Sequence, residues 1–174
     1  MTDKARDAAL SVRMLVLDVD GVLTDGRLYY GDNGQEYKTF NIKDGLGIKL
    51  MQRAGIEVGI ITARRSVILT RRCEELGIKR LVQGREDKLV ALRELLQEVK
   101  IDIKEVAYMG DDLPDLAAVR QVGLGMAVAD ASPPLIENAL WKSRYGGGHG
   151  AVREAAEFIL SAQDKLEPLI SSYR

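Results

Sequence analysis

Residues 15–25 of the chain read Leu-Val-Leu-Asp-Val-Asp-Gly-Val-Leu-Thr-Asp, an apolar run that ends in two carboxylates two positions apart. The run predicts a buried strand, and residues i and i+2 of an extended chain point to the same side. Asp18 and Asp20 can therefore face one pocket, and Gly21 allows a sharp turn after them. Two close carboxylates repel each other unless a cation, a shared proton or a catalytic role compensates. Taken alone, the stretch also fits a strand end followed by an Asp-rich turn.

The composition favours a single globular domain without a nucleic-acid or membrane partner. The 174 residues suffice for one well-buried core, and we expect one domain over residues 1–174. With 25 basic and 26 acidic residues the charges nearly cancel, so no overall field attracts nucleic acid or an anionic membrane. Cys73 is the only cysteine, so the chain has no internal disulfide, which fits a reducing compartment. Residues 1–13 lack the apolar core of a secretory signal, and no segment approaches the ~20 apolar residues of a membrane span. The sequence predicts a cytoplasmic protein.

Strand and helix patterns alternate along the chain. Residues 26–41 predict a β-hairpin around a Gly-Asp-Asn-Gly turn. Further strands are predicted over 56–61, 80–82, 106–109 and 123–128, with helices over 44–54, 66–76, 87–99 and 113–121 and another that begins with Ser132 as its capping residue. A Gly-rich segment and an amphipathic helix are predicted over about 146–174. This alternation predicts an α/β fold of the three-layer Rossmann-like type, with a mostly parallel sheet and a hairpin insertion after the first strand.

Polar residues follow three of the predicted strands at their carboxyl ends. They are Asp18, Asp20, Thr62, Asp111, Asp112 and Asp115. Ligands bind beyond the carboxyl ends of parallel strands, so we expect these side chains at one edge of the sheet. An oxygen-only cluster suits a hard cation, and Mg²⁺ is the natural choice where the site acts on phosphate. Asp111, at a strand end, is favoured as a direct ligand, whereas Asp112 and Asp115 also fit acids at a helix N-terminus.

Four motifs in order resemble those of the haloacid dehalogenase superfamily of phosphohydrolases. They are Asp-x-Asp-Gly-Val at Asp18, the strand-terminal Thr62, Lys88, and Gly-Asp-Asp-x-x-Asp at Gly110. Apart from this resemblance, Thr62 fits a helix cap and Lys88 a solvated side chain. The motifs leave no room for the cap domain that many members of the superfamily carry. The resemblance therefore implies a capless member of the haloacid dehalogenase-like fold.

The same resemblance implies a role for each motif residue. Asp18 would be the nucleophile that becomes an aspartyl phosphate, and Asp20 would protonate the leaving alkoxide and then activate water. Mg²⁺ would be held by Asp18, the backbone carbonyl of Asp20 and Asp111, with Thr62 and Lys88 balancing the phosphoryl charge. The remaining acids of the last motif would support this site: Asp112 and Asp115.

Residues 18–26, the hairpin, residues 40–45, residues 61–64 and residues 110–115 together closely resemble the 3-deoxy-D-manno-octulosonate 8-phosphate phosphatases. This family resemblance implies hydrolysis of an eight-carbon keto sugar acid phosphate used for lipopolysaccharide. It also implies a homotetramer whose hairpins form a central barrel. The apolar residues of the hairpin independently predict self-association, because an isolated two-stranded element is marginally stable and exposes its edges.

Four residues are predicted to bind the substrate. The carboxylate of such a substrate needs a cation, for which Lys43 and Arg64 are the first candidates and Arg85 the third. Asp44, next to Lys43 in the stretch that resembles the family, is also assigned to substrate binding. Residues 146–150 resemble a family segment that approaches an active site, its own or a neighbouring subunit's, as a mobile lid. His149 within it, the only histidine, also fits an ordinary loop residue.

Three other functions fit parts of the pattern. A phosphatase for a nine-carbon sugar acid 9-phosphate would share all four motifs. A non-catalytic regulatory module of a nucleotide-sugar pathway would fit the fold, although Asp18 and Asp20 are both intact. A receiver domain also uses an acid cluster and a phosphorylated Asp, but its acceptor should follow the third strand, whereas the doublet here ends the first.

Overall fold

A six-stranded parallel sheet forms the centre of the protein in the computed structural model, which describes residues 3–173. Residues 1, 2 and 174 of the predicted 1–174 domain lie outside the described part. In spatial order the strands are β5 (Arg80–Gln83), β4 (Glu57–Thr62), β1 (Met14–Leu17), β6 (Val106–Gly110), β7 (Leu124–Ala127) and β8 (Trp141–Lys142). Each strand runs parallel to its neighbours. The apolar run before Asp18 forms β1, which is buried along its whole length between β4 and β6.

Helices cover both faces of this sheet. They are α1 (Asp3–Leu10), α2 (Ile42–Arg53), α3 (Val67–Leu76), α4 (Lys88–Val99), α5 (Leu113–Gln121), α6 (Pro133–Asn138), α7 (Ala151–Ala162) and α8 (Leu166–Ser171), with a 3₁₀ turn at Ile103–Glu105. In one layer α2 and α1 pack on α7, and in the other α4 and α6 pack on α5. The predicted α/β fold with a mostly parallel sheet is confirmed. No helix within residues 3–173 is long and apolar enough to cross a membrane.

Local sequence signals explain where several helices begin and end. The Asn41 side chain accepts a hydrogen bond from the Lys43 N–H at the start of α2, and Ser66 accepts one from Leu69 at the start of α3. Gly77 ends α3 in the left-handed conformation, with φ of 71°. Ser132 differs from the prediction, because its side chain caps nothing in α6. Its backbone N–H instead donates to the Asp111 carbonyl at 2.7 Å.

The predicted hairpin is present but short. Its strands are β2 (Tyr29–Tyr30) and β3 (Glu36–Tyr37), paired antiparallel. Tyr30 and Tyr37 are 65% and 55% exposed. Phe40, predicted as part of the hairpin, packs against the core instead, under the guanidinium of Arg72. Among the described residues the chain forms only the hairpin and α2 between β1 and β4, and only α3 and β5 between β4 and α4, so neither gap holds a cap domain.

Two helices and one strand were not predicted from the sequence: α1, α8 and β8. Helix α1 buries only two alanines, so it has no stripe of large apolar residues that a periodicity would reveal. Strand β8 has two residues and pairs with β7 at the edge of the sheet. Helix α8 has no buried residue, and it divides the C-terminal region that was predicted as one helix.

Candidate active site

Asp18 and Lys88 form a buried ion pair at the carboxyl edge of the sheet. Asp18 follows the last residue of β1, and Lys88 is the first residue of α4. The Lys88 Nζ lies 2.8 Å from Asp18 Oδ1 and 2.7 Å from Asp115 Oδ1. Burial alone would lower the pKa of Lys88, but its attraction to both carboxylates outweighs this and raises the pKa, so the ammonium stays charged. Lys88 is therefore a buried cation rather than a solvated side chain.

Asp115 is saturated with hydrogen-bond donors. Its Oδ1 accepts from Lys88 and, at 2.8 Å, from the Tyr108 hydroxyl, while its Oδ2 accepts from the Asp111 N–H at 3.2 Å. The side chain is fully buried. Since both oxygens are already engaged, Asp115 holds Lys88 and the backbone of Asp111 in place. Tyr108 was missed by the sequence reasoning, because an apolar β6 pattern gives no sign that one hydroxyl reaches the site.

Three carboxylates meet where the sequence predicts a cation. Oxygens of Asp18, Asp111 and Asp115 lie within 4.8 Å of one another. Burial, together with repulsion from Asp115, raises the pKa of Asp18 from 3.8 to about 6. Burial and repulsion from the other two carboxylates raise the pKa of Asp111 to about 8. An oxygen-only donor set that carries excess negative charge fits Mg²⁺, because the cation would relieve the repulsion that disfavours the ionised forms.

Asp20 faces the hairpin. The Lys38 ammonium contacts Asp20 Oδ1, and Arg64 Nε lies 3.9 Å from Asp20 Oδ2. Glu36 joins the two cations: its Oε1 accepts from Arg64 at 3.1 Å and lies 3.9 Å from the Lys38 Nζ. The Lys38 side chain is only 4% exposed. Sequence reasoning missed Lys38 and Glu36, because their contacts depend on how the hairpin folds back over the sheet edge and follow from no local pattern.

These residues line an open cleft of about 220 Å³. Its walls include Asp18, Asp20, Thr62, Ala63, Arg64, Lys88, Asp111, Asp112, Pro114 and Asp115. Thr62 is buried at the end of β4, and its Oγ1 accepts from the Arg64 N–H at 3.3 Å. Asp112 is exposed and caps α5, accepting from the Leu113 N–H at 2.8 Å, as expected of an acid at a helix N-terminus. All the predicted motif residues therefore meet in one cleft.

Of the four predicted substrate-binding residues, the structure brings only Arg64 into this cleft. Lys43 is exposed on the first turn of α2. The half-buried Arg85 guanidinium is paired with Asp87 and Glu94, each at 2.7 Å. The Asp44 carboxylate is fully buried, so the prediction that it contacts substrate is corrected here. It accepts hydrogen bonds from the first turn of α7, from the N–H groups of Gly150 at 3.3 Å and Arg153 at 2.8 Å.

The Gly-rich segment, residues 146–150, packs against the chain's own loop after β1. The Gly148 N–H donates to the Val22 carbonyl at 2.9 Å, and the Gly147 N–H donates to Asp130 Oδ1 at 3.0 Å. The His149 Nδ1 lies 2.7 Å from the Gly147 carbonyl, and His149 is not part of the cleft wall. The segment thus forms part of the support of the site, which differs from the lid that the resemblance implied.

Comparisons with known proteins agree with one another. A family model described as haloacid dehalogenase-like hydrolase matches residues 80–151. A 3-deoxy-D-manno-octulosonate 8-phosphate phosphatase (KdsC) from Yersinia pestis is 48% identical over 167 residues, which cover 96% of this chain and 89% of the relative. The crystal structure of a probable YrbI family phosphatase from Pseudomonas syringae is 50% identical, with a TM-score of 0.97 over 99% of this chain and 98% of the other.

A further solved structure carries ligands. The 3-deoxy-D-manno-octulosonate 8-phosphate phosphatase from Moraxella catarrhalis, in complex with a magnesium ion, a phosphate ion and KDO, is 38% identical. It matches this chain with a TM-score of 0.98, and the match covers 100% of both chains. The similarity in sequence and in structure therefore extends over nearly the whole chain.

Proposed function

Because the chain belongs to the haloacid dehalogenase-like hydrolases, in the family of the 3-deoxy-D-manno-octulosonate 8-phosphate phosphatases, we propose that it hydrolyses 3-deoxy-D-manno-octulosonate 8-phosphate. The products are 3-deoxy-D-manno-octulosonate and phosphate, within lipopolysaccharide precursor biosynthesis. The observation that carries the proposal is the buried contact of Lys88 with Asp18 in a cleft that also holds Asp20, Thr62 and Asp111. The near full-length identity to the Yersinia pestis phosphatase supports the choice of substrate.

We assign a Mg²⁺ ion to Asp18, the backbone carbonyl of Asp20 and Asp111. The three-carboxylate cluster supports this assignment, as does the magnesium ion in the Moraxella catarrhalis relative. When bound, Mg²⁺ supplies Lewis-acid polarisation of the phosphoryl group and neutralises part of its charge. Asp115 belongs to the same cluster, but its oxygens accept hydrogen bonds from protein donors, so we assign it a supporting role.

The reaction proceeds in two displacements at phosphorus. A carboxylate oxygen of Asp18 attacks phosphorus, the bond from phosphorus to the sugar oxygen breaks, and Asp20 donates a proton to that oxygen. Asp20, now ionised, takes a proton from water, whose oxygen attacks the aspartyl phosphate and releases phosphate and free Asp18. Lys88 and Thr62 face the phosphoryl oxygens and balance their charge. Because Asp18 attacks phosphorus while Asp20 transfers the proton, both acids are needed at the same strand end.

The remainder of the substrate extends beyond this cleft. A volume of about 220 Å³ is below the ~300–1,000 Å³ typical of small-molecule sites, so the cleft suits the phosphoryl end of the substrate. Arg64, at the cleft wall, is a suitable partner for the substrate carboxylate. We propose that a neighbouring subunit closes the open side, in a homotetramer that covers the exposed tyrosines of the hairpin. We also propose a cytoplasmic location without nucleic-acid or membrane partners.

A substrate comparison tests this function. Phosphate release is measured with Mg²⁺ on 3-deoxy-D-manno-octulosonate 8-phosphate and on a nine-carbon sugar acid 9-phosphate, with a simple sugar phosphate as the reference. We expect the highest kcat/KM on the eight-carbon substrate, and no activity in Asp18→Asn. A higher kcat/KM on the nine-carbon substrate would replace the proposed substrate, and absence of phosphate release from all three would reject the phosphatase function.

A further inference from the structure

Gly21, the residue after Asp20, lies between two other parts of the chain with no space for a side chain. A Cβ placed on Gly21 would lie 2.0 Å from Asp111 Oδ2. A Cβ placed on Gly147 would lie 1.8 Å from the Gly21 carbonyl oxygen and 2.7 Å from the Thr24 carbonyl oxygen. Real Cβ atoms essentially never approach other atoms within 3.0 Å. Gly21 is therefore in direct contact with the acid cluster on one side and with the Gly-rich segment on the other.

Hydrogen bonds hold the Gly-rich segment in this position. Its backbone bonds to Val22 through the Gly148 N–H, as described above, and the Asn41 side-chain amide donates to the Gly148 carbonyl at 3.1 Å. The Gly147 N–H bonds to Asp130, which follows β7. The segment is thus tied to the start of α2, to the loop after β7 and to the loop after β1. These three anchors hold the segment against the carboxyl edge of the sheet.

We propose that residues 146–150 act as a positioning brace, which holds Gly21 and so sets the place of the adjoining Asp20 carbonyl relative to Asp111. The brace contributes no residue to the cleft wall, so it acts through Gly21 and Val22, whose carbonyls it contacts. The Asp20 carbonyl carbon is bonded to the Gly21 nitrogen, and a ligand carbonyl must lie at a narrow range of distances from Mg²⁺ because the ion demands near-ideal octahedral geometry. This inference rests on the proposed function, since it takes the Asp20 carbonyl as a metal ligand.

The contact between Gly147 and Gly21 makes the brace sensitive to a single methyl group. The atoms that a methyl group would meet belong to the backbone, so no side chain can rotate away. Nonbonded atoms pack at about 3.5–4.0 Å, and the two segments would have to separate by more than about 1 Å. Groups that orient metal ligands without touching the metal typically change affinity ~10–100-fold when altered. We therefore expect Gly147→Ala to weaken metal binding by about tenfold or more.

The test measures metal affinity directly in the purified, metal-free protein. Mn²⁺ is titrated and its dissociation constant obtained by electron paramagnetic resonance, alongside the thermal unfolding midpoint. The variants are Gly147→Ala and Asp130→Ala. Asp130 is exposed, so its replacement by alanine removes the acceptor of the Gly147 N–H without adding bulk. Gly55→Ala is the control, because Gly55 has φ of +78° and no atom within 4 Å of a placed Cβ, so it reports backbone strain alone.

If residues 146–150 act as a brace, Mn²⁺ binds more weakly to both variants, with the larger effect in Gly147→Ala. Gly55→Ala should keep the wild-type dissociation constant for Mn²⁺ even where its thermal unfolding midpoint falls. If Gly147→Ala does not fold, Asp130→Ala decides the test. Unchanged Mn²⁺ affinity in the folded variants, with a wild type that binds Mn²⁺ and releases phosphate, would overturn the brace alone. A wild type that neither binds Mn²⁺ nor releases phosphate would overturn the proposed function, and the brace with it.

Discussion

Replacement of Lys88 by methionine should cost both stability and activity, because it removes a cation that contacts two buried carboxylates. The ammonium lies 2.8 Å from Asp18 and 2.7 Å from Asp115. At an effective dielectric constant of ~20, each contact represents an attraction of about 6 kcal/mol before the cost of burying the ammonium. That cost offsets much of the gain, and loss of one partner of a buried pair typically destabilises by about 3–5 kcal/mol. We expect a loss in this range at pH 8 without metal.

Urea denaturation of Lys88→Met and the wild type, at pH 8 and again at pH 5, measures this loss. The loss should shrink at pH 5, because protonation of Asp18, whose pKa is raised to about 6, removes part of the uncompensated charge. With Mg²⁺, kcat should fall by roughly 10²–10³, the typical cost of removing one group that stabilises transition-state charge. Lys49→Met is the control, since Lys49 is exposed on α2 and should change stability by less than about 0.5 kcal/mol. Equal stability of Lys88→Met and Lys49→Met at pH 8 would refute the reasoning.

Three further predictions concern the cation site, the hairpin and the support of α7. Because the folded-state pKa values of Asp18 and Asp111 are raised to about 6 and about 8, the folded protein binds more protons than the unfolded chain between about pH 4 and 8. Thermal unfolding of the metal-free protein should therefore show that stability falls as pH rises through this window, and Mg²⁺ should suppress the fall. A stability that rises with pH would contradict the repulsion between the buried carboxylates. Lys38→Met removes the cation that would stabilise the Asp20 carboxylate formed when Asp20 gives up its proton, so kcat for the sugar phosphate should fall about 10–100-fold, and less for 4-nitrophenyl phosphate, whose leaving group needs no proton. Equal losses on the two substrates would argue against an effect through Asp20. Asp44→Ala leaves two N–H groups at the start of α7 without their acceptor. The free energy of unfolding, measured by urea denaturation, should therefore fall by about 2 kcal/mol. A loss below about 0.5 kcal/mol would contradict the capping role.

The strand-end residues could be predicted from the sequence because their signals are local. An apolar run followed by Asp18 marks a strand and its end, and parallel strands bring their carboxyl ends to one edge. The same rule located Thr62 and Asp111 correctly in the shared cleft. What these residues do in the reaction came from the resemblance to a family, since spacing alone left a turn and a helix cap as alternatives.

Contacts between distant parts of the chain could not be predicted in the same way. Lys38 and Asp20 are brought together by the path of the hairpin, and nothing in the surrounding residues encodes that path. The Asp44 side chain lies on an amphipathic helix where a carboxylate usually faces solvent, yet it caps α7 more than a hundred residues later. Lys43 and Arg85 were chosen as cations near motif residues, but proximity in sequence did not bring their side chains into the cleft.

The most direct test of the central claim is to identify the residue that carries the phosphoryl group during turnover. The wild type is mixed with 3-deoxy-D-manno-octulosonate 8-phosphate and Mg²⁺, quenched in acid within milliseconds, digested and analysed by mass spectrometry. A covalent mechanism at the end of β1 predicts a phosphoryl group on Asp18, and none in Asp18→Asn. A phosphoryl group on Asp20, or steady turnover by Asp18→Asn at the wild-type rate, would contradict the assignment of Asp18 as the nucleophile.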